Sequence, residues 1–327
     1  MQLIRGLINL NHQADFCIAT IGNFDGVHLG HQAIIKKVIQ YANQSGRQSC
    51  VILFEPHPKE VFMGENCPAR ITSFTEKYIQ LASLGVDKLL VLQFNSSLRE
   101  MAATEFINEV LIARLKIKHL VVGDDFQFGY KRQGNYELLK VCGKGHYSVE
   151  PTPTVLIRDP SSNEQFRASS TLVRNALLEN NFQFANKILT RRYSMTGKVG
   201  YGKQVGTKIG FATANIAPNR RKPAVKGVFL VRAKWTELQS TKEGVGGRKF
   251  HACWGVANCG SRPTLDGQDY RLEVHLLGVS PNLYGIELKV DFYAFIREEK
   301  KFESVQKLAQ QIEKDVKRAK ELIERLK

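Results

Sequence analysis

Thr20-Ile-Gly-Asn-Phe-Asp-Gly-Val-His-Leu-Gly-His31 is where an apolar run stops and an amphipathic one begins. Gly22 and Gly26 permit a tight turn and a close approach of backbone to a ligand. After His31, apolar Ile34, Ile35, Val38, Ile39 and Ala42 recur at helical spacing. Strand, turn and helix start, in that order, present free N–H groups and the positive end of a helix dipole to a phosphate. His28 and His31 stand where they can donate hydrogen bonds to phosphate oxygens as charge builds in a transition state. A metal on this pair would need a third ligand at metal-site spacing, and none lies nearby in the sequence. Capping by Asn23 or Asp25 accounts for the turn but not for two histidines.

Outward from that stretch, β-branched and aromatic runs recur at residues 16–21, 50–54, 88–94, 119–122 and 147–157. Segments of helical spacing separate them, one after His31, one after Thr75 and one from Thr104. Alternation of this kind predicts right-handed βαβ units in a parallel sheet, with ligands beyond the C-terminal strand ends. Two further polar signatures sit at such places. Gly123-Asp-Asp-Phe-Gln-Phe-Gly129 ends a strand in a glycine and two carboxylates. Asp124 or Asp125 is placed to hold Mg²⁺ or a ribose, and Phe126 and Phe128 to line a pocket for a planar ring. Ser169, Ser170 and Thr171 read as a helix cap with Arg174 one turn along, so hydroxyls, N–H groups and a guanidinium converge on an anion.

After a short helical segment at 182–192 the pattern changes. Strand-like runs at 195–201, 227–235, 251–258, 270–277 and 286–295 follow one another without helices, which predicts antiparallel pairing and a small barrel. Val305, Leu308, Ile312, Val316, Ala319, Ile323 and Leu326 form a terminal helical stripe expected to pack on the core. The run at 197–215 carries five glycines and three lysines and is suited to covering phosphates with backbone amides, without P-loop spacing. Thr213 and Asn215 offer oxygens fit for Mg²⁺. In Arg271-Leu-Glu-Val-His-Leu276, Glu273 and His275 share one strand face, and a barrel-facing carboxylate there is a candidate base for a hydroxyl.

The chain of 327 residues favours two domains, and its 43% hydrophobic and 24% charged fractions are those of a globular protein. No run of eighteen apolar residues exists to span a membrane. The N-terminus lacks a signal-peptide pattern, and the six cysteines form no CxxC pair, so a reducing cytoplasm is expected. Of the net charge of +16, residues 187–327 carry 28 Lys and Arg against 14 Asp and Glu. Asn219-Arg-Arg-Lys222 is the one basic cluster, and it lacks the interleaved aromatics of a nucleic-acid site. Small anionic substrates suit the basic balance better.

The runs at 21–31, Phe54-Glu-Pro-His-Pro58, 123–129 and 169–174 resemble, in order, the FMN adenylyltransferase module of bacterial bifunctional riboflavin kinase/FAD synthetases, over residues 14–178. Residues 186–317 resemble the riboflavin kinase module of the same family: the Gly-rich loop, Asn258…Arg262-Pro-Thr, the Glu-x-His strand, Leu283-Tyr-Gly and Arg297-x-Glu-x-x-Phe302. The resemblance implies a Rossmann-like nucleotidyltransferase domain (1–185) followed by an antiparallel β-barrel with a C-terminal helix (186–327). It implies that ATP and FMN meet Gly22, Asn23, Phe24, Asp25, Gly26, His28, His31, Gly123, Asp125, Phe126, Phe128, Ser169, Ser170, Thr171 and Arg174. In the kinase module it implies Gly202, Lys203, Gly206, Lys208, Gly210, Asn258 and Arg262 around nucleotide and flavin, and Thr213 and Asn215 on Mg²⁺–ATP. Glu273 is then the base, and Arg297, Glu299 and Phe302 flank the flavin. Riboflavin, FMN, FAD and ATP are the implied partners, with neither nucleic acid nor membrane among them. Ala212 stands where the family usually has Pro, which predicts a less rigid loop, and Asn135, Leu265 and Gly278-Val279 also depart from the usual residues.

Overall fold

Strands apolar on both sides need cover on both faces, and the first part of the chain supplies it. In the computed structural model, residues 1–10, 17–202, 210–241, 244–264 and 267–326 are described. They form two compact units, Met1–Pro68 with Lys77–Ser170, and Ala69–Glu76 with Thr171–Lys327. The first unit holds β1 (Gln2–Arg5), β2 (Cys17–Ile21), β3 (Gln48–Glu55), β4 (Lys88–Gln93), β5 (His119–Gly123) and β6 (Ser148–Thr152). Their order is β1-β4-β3-β2-β5-β6, and every pairing is parallel. Its helical segments are α1 (Leu29–Ser45), α2 (Pro58–Met63), α4 (Ser96–Glu100), α5 (Ala103–Glu105), continued as a π-helix over Phe106–Arg114, and α6 (Tyr136–Gly143), whereas α3 (Phe74–Ser83) begins in the second unit and α7 (Ser170–Leu178) lies in it from Thr171 on.

Strand β2 shows why the sheet is two-sided. Cys17, Ala19 and Ile21 join Phe106, Ile107, Val110 and Leu111 in one buried cluster, whereas Ile18 packs with Val38 and Ala42 of α1 and with Val121. All six cysteines are free thiols. Two strand expectations need correction. Strand β1 is an added edge strand, paired Gln2↔Lys88 through Arg5↔Val91, where four residues carry too little pattern to be read. The run at 147–157 is not one strand: after β6 the chain turns at Pro153, and β7 (Leu156–Arg158) pairs antiparallel with β8 (Gln165–Arg167) in a ribbon of its own. Proline lacks the N–H that continuing a ladder requires.

The second unit contains α8 (Phe182–Leu189), then β9 (Ser194–Gly200), β10 (Ala214–Ile216), β11 (Gly227–Thr241), β12 (Gly244–Thr264), β13 (Gly267–Leu276), β14 (Glu287–Arg297) and α9 (Val305–Glu324). The strands close in the order β10-β13-β12-β11-β14-β9, with antiparallel pairings. Side chains alternate along each strand. Phe229, Val231, Ala257, Leu272, Val274, Val290 and Phe292 fill the interior, and Phe292 meets Phe182, Tyr193 and Phe229 at ring distances of 5.3–6.1 Å. Val228, Leu230 and Val256 point outward and are covered by Val316, Ala319 and Ile323 of α9. The terminal stripe therefore packs only through its middle. Val305, at the start of α9, and Leu326, past its end, are 52% and 54% exposed.

Both tryptophans of the chain, Trp235 and Trp254, lie in β11 and β12, so their fluorescence reports the second unit alone. Phe292→Ala, which opens a cavity in the barrel interior, should cost that unit about 3–5 kcal/mol. Denaturant unfolding followed at tryptophan emission measures it.

Candidate active sites

The turn from β2 into α1 is built from left-handed backbone. Phe24, Gly26 and Val27 have φ of 48°, 87° and 42°, and the two non-glycines are 2% and 1% exposed. A buried bulky residue in that region is strained and is held only where surrounding packing overdetermines it. The expectation for Gly22 changes accordingly: its φ is not positive, and what it supplies is space, since a Cβ there would lie 3.1 Å from the Phe24 ring. His28 is the N-cap of α1 through its backbone and makes no side-chain cap. Freed from capping, its ring stacks on His31 at 3.6 Å between centroids, and Phe24 meets His31 edge-on at 5.1 Å.

Both histidines line a cavity of about 1000 Å³ at the C-terminal strand ends, together with Gly22, Asn23, Phe24, Gly123, Asp125, Ser169 and Ser170. One wall is a chain of phenylalanines in ring contact, Phe62–Phe94–Phe54–Phe106–Phe128–Phe126, at 5.5–6.4 Å between neighbours. Other lining groups are polar. Asn23 Oδ1 and Thr152 Oγ1 are buried there and find no hydrogen-bond partner among the described residues. Lys59, Arg99, Lys131 and Arg132 add positive charge to the lining. A flat aromatic ring and an anionic group fit that combination.

Several expected contacts fall elsewhere. Asp25 and Gly26 shape the turn but do not line the cavity, and the Ser170 hydroxyl donates to the Asp25 carbonyl at 2.8 Å. Thr171 and Arg174 are also absent from the lining, and Arg174 Nε donates to the Ala69 carbonyl at 2.6 Å. Asp124 and Asp125 are both engaged by Arg167 Nη2 at 2.8 Å, and the Thr154 hydroxyl donates to Asp124 at 2.6 Å. The Thr154 bond, and after it the Arg167 charge, hold the Asp124 carboxyl below the usual carboxylate range. Arg167 lines the cavity and had no role in the sequence reading, although it stands two residues before the quoted Ser169 cap.

On the barrel, strand register assembles the second site. Asn215 pairs with Glu273, Glu273 with Asn258, Asn258 with Val228 and Val228 with Arg297, so one row crosses five strands. Val228 packs under α9, which puts this row on the outer face. The expectation that Glu273 faces the barrel interior is therefore corrected: its neighbours Leu272 and Val274 fill the interior, and Glu273 is half-buried outside with Asn215 and Asn258 beside it. Asn258 Oδ1 is buried and finds no partner among the described residues. A Cβ on Gly202 would displace the Asn215 amide, and one on Gly260 would displace the Glu299 carboxylate. Ala212 is tethered where a proline was expected, since His275 Nδ1 lies 2.9 Å from its carbonyl. Asn135, which stands where an acid is usual in the family, caps α6 by accepting from Leu138 N.

Arg297, expected beside the flavin, is held by α9. Its Nε and Nη2 grip Asp315 of α9 at 2.8–3.1 Å, Gln311 also donates to Asp315, and the guanidinium lies 5.7 Å from the Phe302 ring centre. Asp315 was missed although an acid within the apolar register of α9, between Ile312 and Ala319, is a visible signal. Gly210 has φ +83° in the open. Lys203, Gly206, Lys208 and Leu265 lie outside the described residues, as does the side chain of Arg262. Among the described residues no cluster of three His, Cys, Asp or Glu could hold a metal ion.

The chain matches the family model described as FAD synthetase over residues 10–165 and the one described as riboflavin kinase over 189–323. It is 41% identical over 321 residues to the bifunctional riboflavin kinase/FMN adenylyltransferase of Haemophilus influenzae, covering 98% of both chains. It is 40% identical to the protein of that name from Pseudomonas fluorescens, at 98% coverage of each, and 38% identical to that from Escherichia coli K12, at 96% of each. The chain belongs to the family of bifunctional riboflavin kinase/FMN adenylyltransferases, with the FAD synthetase part N-terminal and the riboflavin kinase part C-terminal. A crystal structure bearing the name macrolide-efflux protein, from Streptococcus pneumoniae, is similar over 98% of this chain and 99% of that one, with a TM-score of 0.73 and 26% identity. Among the described residues of this chain no helix is long and apolar enough to cross a membrane.

Gly202→Ala should push the Asn215 amide aside and lower FMN formation by on the order of 10–100-fold, the scale of a small misplacement at a reacting centre. FAD formation from added FMN should be unchanged. Chromatographic separation of the flavins in the two assays reads both.

Proposed function

We propose that the barrel row phosphorylates riboflavin to FMN and that the cavity of the first unit adenylylates FMN to FAD, each with ATP. The observation that carries this reading is the in-register row Asn215–Glu273–Asn258, which gathers a carboxylate and two amides on one half-buried surface. Glu273 takes the proton of the riboflavin 5′-hydroxyl, whose oxygen attacks the γ-phosphorus of ATP, and ADP leaves. Phosphoryl transfer asks chiefly for positioning and charge stabilisation. Loop amides around Gly202 and Gly210 serve the phosphates, and the Asn258 carbonyl oxygen accepts a bond from bound substrate. Thr213 and Asn215 supply hard oxygen donors, which suit Mg²⁺ shared with nucleotide phosphates, and the ion when bound offsets their charge. The Arg297–Asp315 pair holds the segment bearing Glu299 and Phe302 against the flavin.

In the first unit the FMN phosphate attacks the α-phosphorus of a second ATP, and pyrophosphate leaves. That nucleophile is already ionised, so no protein base is required. His28 and His31 therefore stabilise the charge of the transition state, which fits a stacked pair of rings lining the cavity. Asn23, Ser169 and Ser170 orient the triphosphate, and the phenylalanine wall takes the isoalloxazine ring. Asp125 and Arg167 stand at the same cavity as an exchangeable pair, so an arriving phosphate can draw on the guanidinium. A cytoplasmic location suits both ATP-dependent steps.

Glu273→Gln should abolish FMN formation from riboflavin and spare FAD formation from added FMN. His28→Ala or His31→Ala should do the reverse. Turnover assays with each flavin separately check this, and equal loss of both reactions in a folded variant would sink the two-site assignment.

A further inference from the structure

Within the basic cluster at residues 219–222, Arg221 and Lys222 are exposed but Arg220 is buried. Arg220 has a fully buried side chain, and its partner Glu76 is 8% exposed. Arg220 Nη2 meets Glu76 Oε1 and Oε2 at 2.7 and 2.5 Å, Nη1 donates to the Ile71 carbonyl at 2.7 Å and to the Tyr193 hydroxyl at 3.2 Å, and Nε donates to the Pro218 carbonyl. Glu76 in turn accepts from Ser73 N and from Thr196 N. Main chain adds to the clamp, since Arg70 N donates to the Lys222 carbonyl. Thr196 belongs to β9, and Pro218 follows the end of β10 by two residues. The hub therefore grips the root of the β9–β10 pair, joined by Asn215↔Gly200 and Ile216↔Val199. The far end of that pair carries Gly202, Gly210 and Thr213.

We infer that Glu76 and Arg220 are positioning residues for the kinase reaction, setting the β9–β10 pair and with it the loop that receives the triphosphate. Glu76 lies inside the stretch matching FAD synthetase, yet it is built into the second unit. A substitution in the adenylyltransferase part of the sequence thus acts on the other reaction. The inference rests on the reading that Gly202, Gly210 and Thr213 meet ATP for riboflavin phosphorylation. Glu76 touches no substrate, so its effect falls on how well the nucleotide is held rather than on proton removal.

The test uses the full chain carrying Glu76→Gln. The expected result is a rise of roughly tenfold in the KM for ATP in FMN formation, with kcat and the KM for riboflavin within about threefold, the signature of lost ground-state binding. FAD formation from added FMN should be unchanged. A purely structural role would instead lower kcat for FMN formation in step with the folded fraction that tryptophan emission reports, leaving the KM for ATP unchanged. If the single variant does not fold, the double variant Glu76→Leu with Arg220→Met removes both charges and should fold, since a buried ion pair can be replaced by apolar residues. It should show the same rise in the KM for ATP. An unchanged KM for ATP, or an equal loss of both reactions, overturns the inference. Thr213→Ala assayed alongside separates two failures. If it raises that KM and Glu76→Gln does not, the positioning inference alone falls; if neither does, the loop reading falls with it.

Discussion

A sheet that is buried must be filled with apolar side chains, and this one requirement decides where the protein can do chemistry. In the first unit both faces of the parallel sheet are covered, so Cys17, Ile18 and Ala19 are buried away from the cavity lining. Polar function is expelled to the ends of the strands, where the turn after β2 and the Gly123–Asp125 corner meet. In the second unit closure makes the interior the apolar side, with Phe229, Leu272, Val274 and Phe292 packed inside. Polar function is then expelled outward, onto the row containing Asn215, Glu273 and Asn258. One rule produces a cavity in one unit and a strand-face site in the other.

Expelled to those places, charge still has to be managed, and arginine does so repeatedly. Arg167 spans Asp124 and Asp125, Arg297 grips Asp315, and Arg220 closes on Glu76. The three differ in depth. The first is open to solvent and exchangeable, whereas Asp315 and Arg220 are almost wholly enclosed. A deep pair adds little net stability but is costly to break from one side, and its forked geometry fixes two backbone segments in register. Part of the excess positive charge therefore serves the architecture and is unavailable to any partner.

Much of this was legible in the sequence, and what was missed has physical reasons. The strand–turn–helix at 20–31 could be read because three independent signals coincide there. The alternation Leu272, Val274 against Glu273, His275 gave the two faces of β13 correctly, but period two does not say which face is inside. Only closure, and the covering of Val228 by α9, decides that. Arg174 was read as an anion-binding guanidinium and Arg220 as one member of a basic cluster, because a local window cannot see a carbonyl or carboxylate more than a hundred residues away. Strand β1 and the break after β6 escaped for a different reason: four residues carry no period, and a β-branched run masks a proline stop.

The pairing of Arg220 with Glu76 spans 144 residues of chain. During vectorial synthesis the acid is made first and can meet its partner only after β9 and β10 have been translated. Residues Ala69–Glu76 thus leave the ribosome as a strand of the story whose meaning arrives late, committed to a unit that does not yet exist. Long-range closures of this kind are paid late in folding and set its pace. The order of the two parts along the chain is therefore written into the structure, because the second unit is finished by a segment that precedes most of the first.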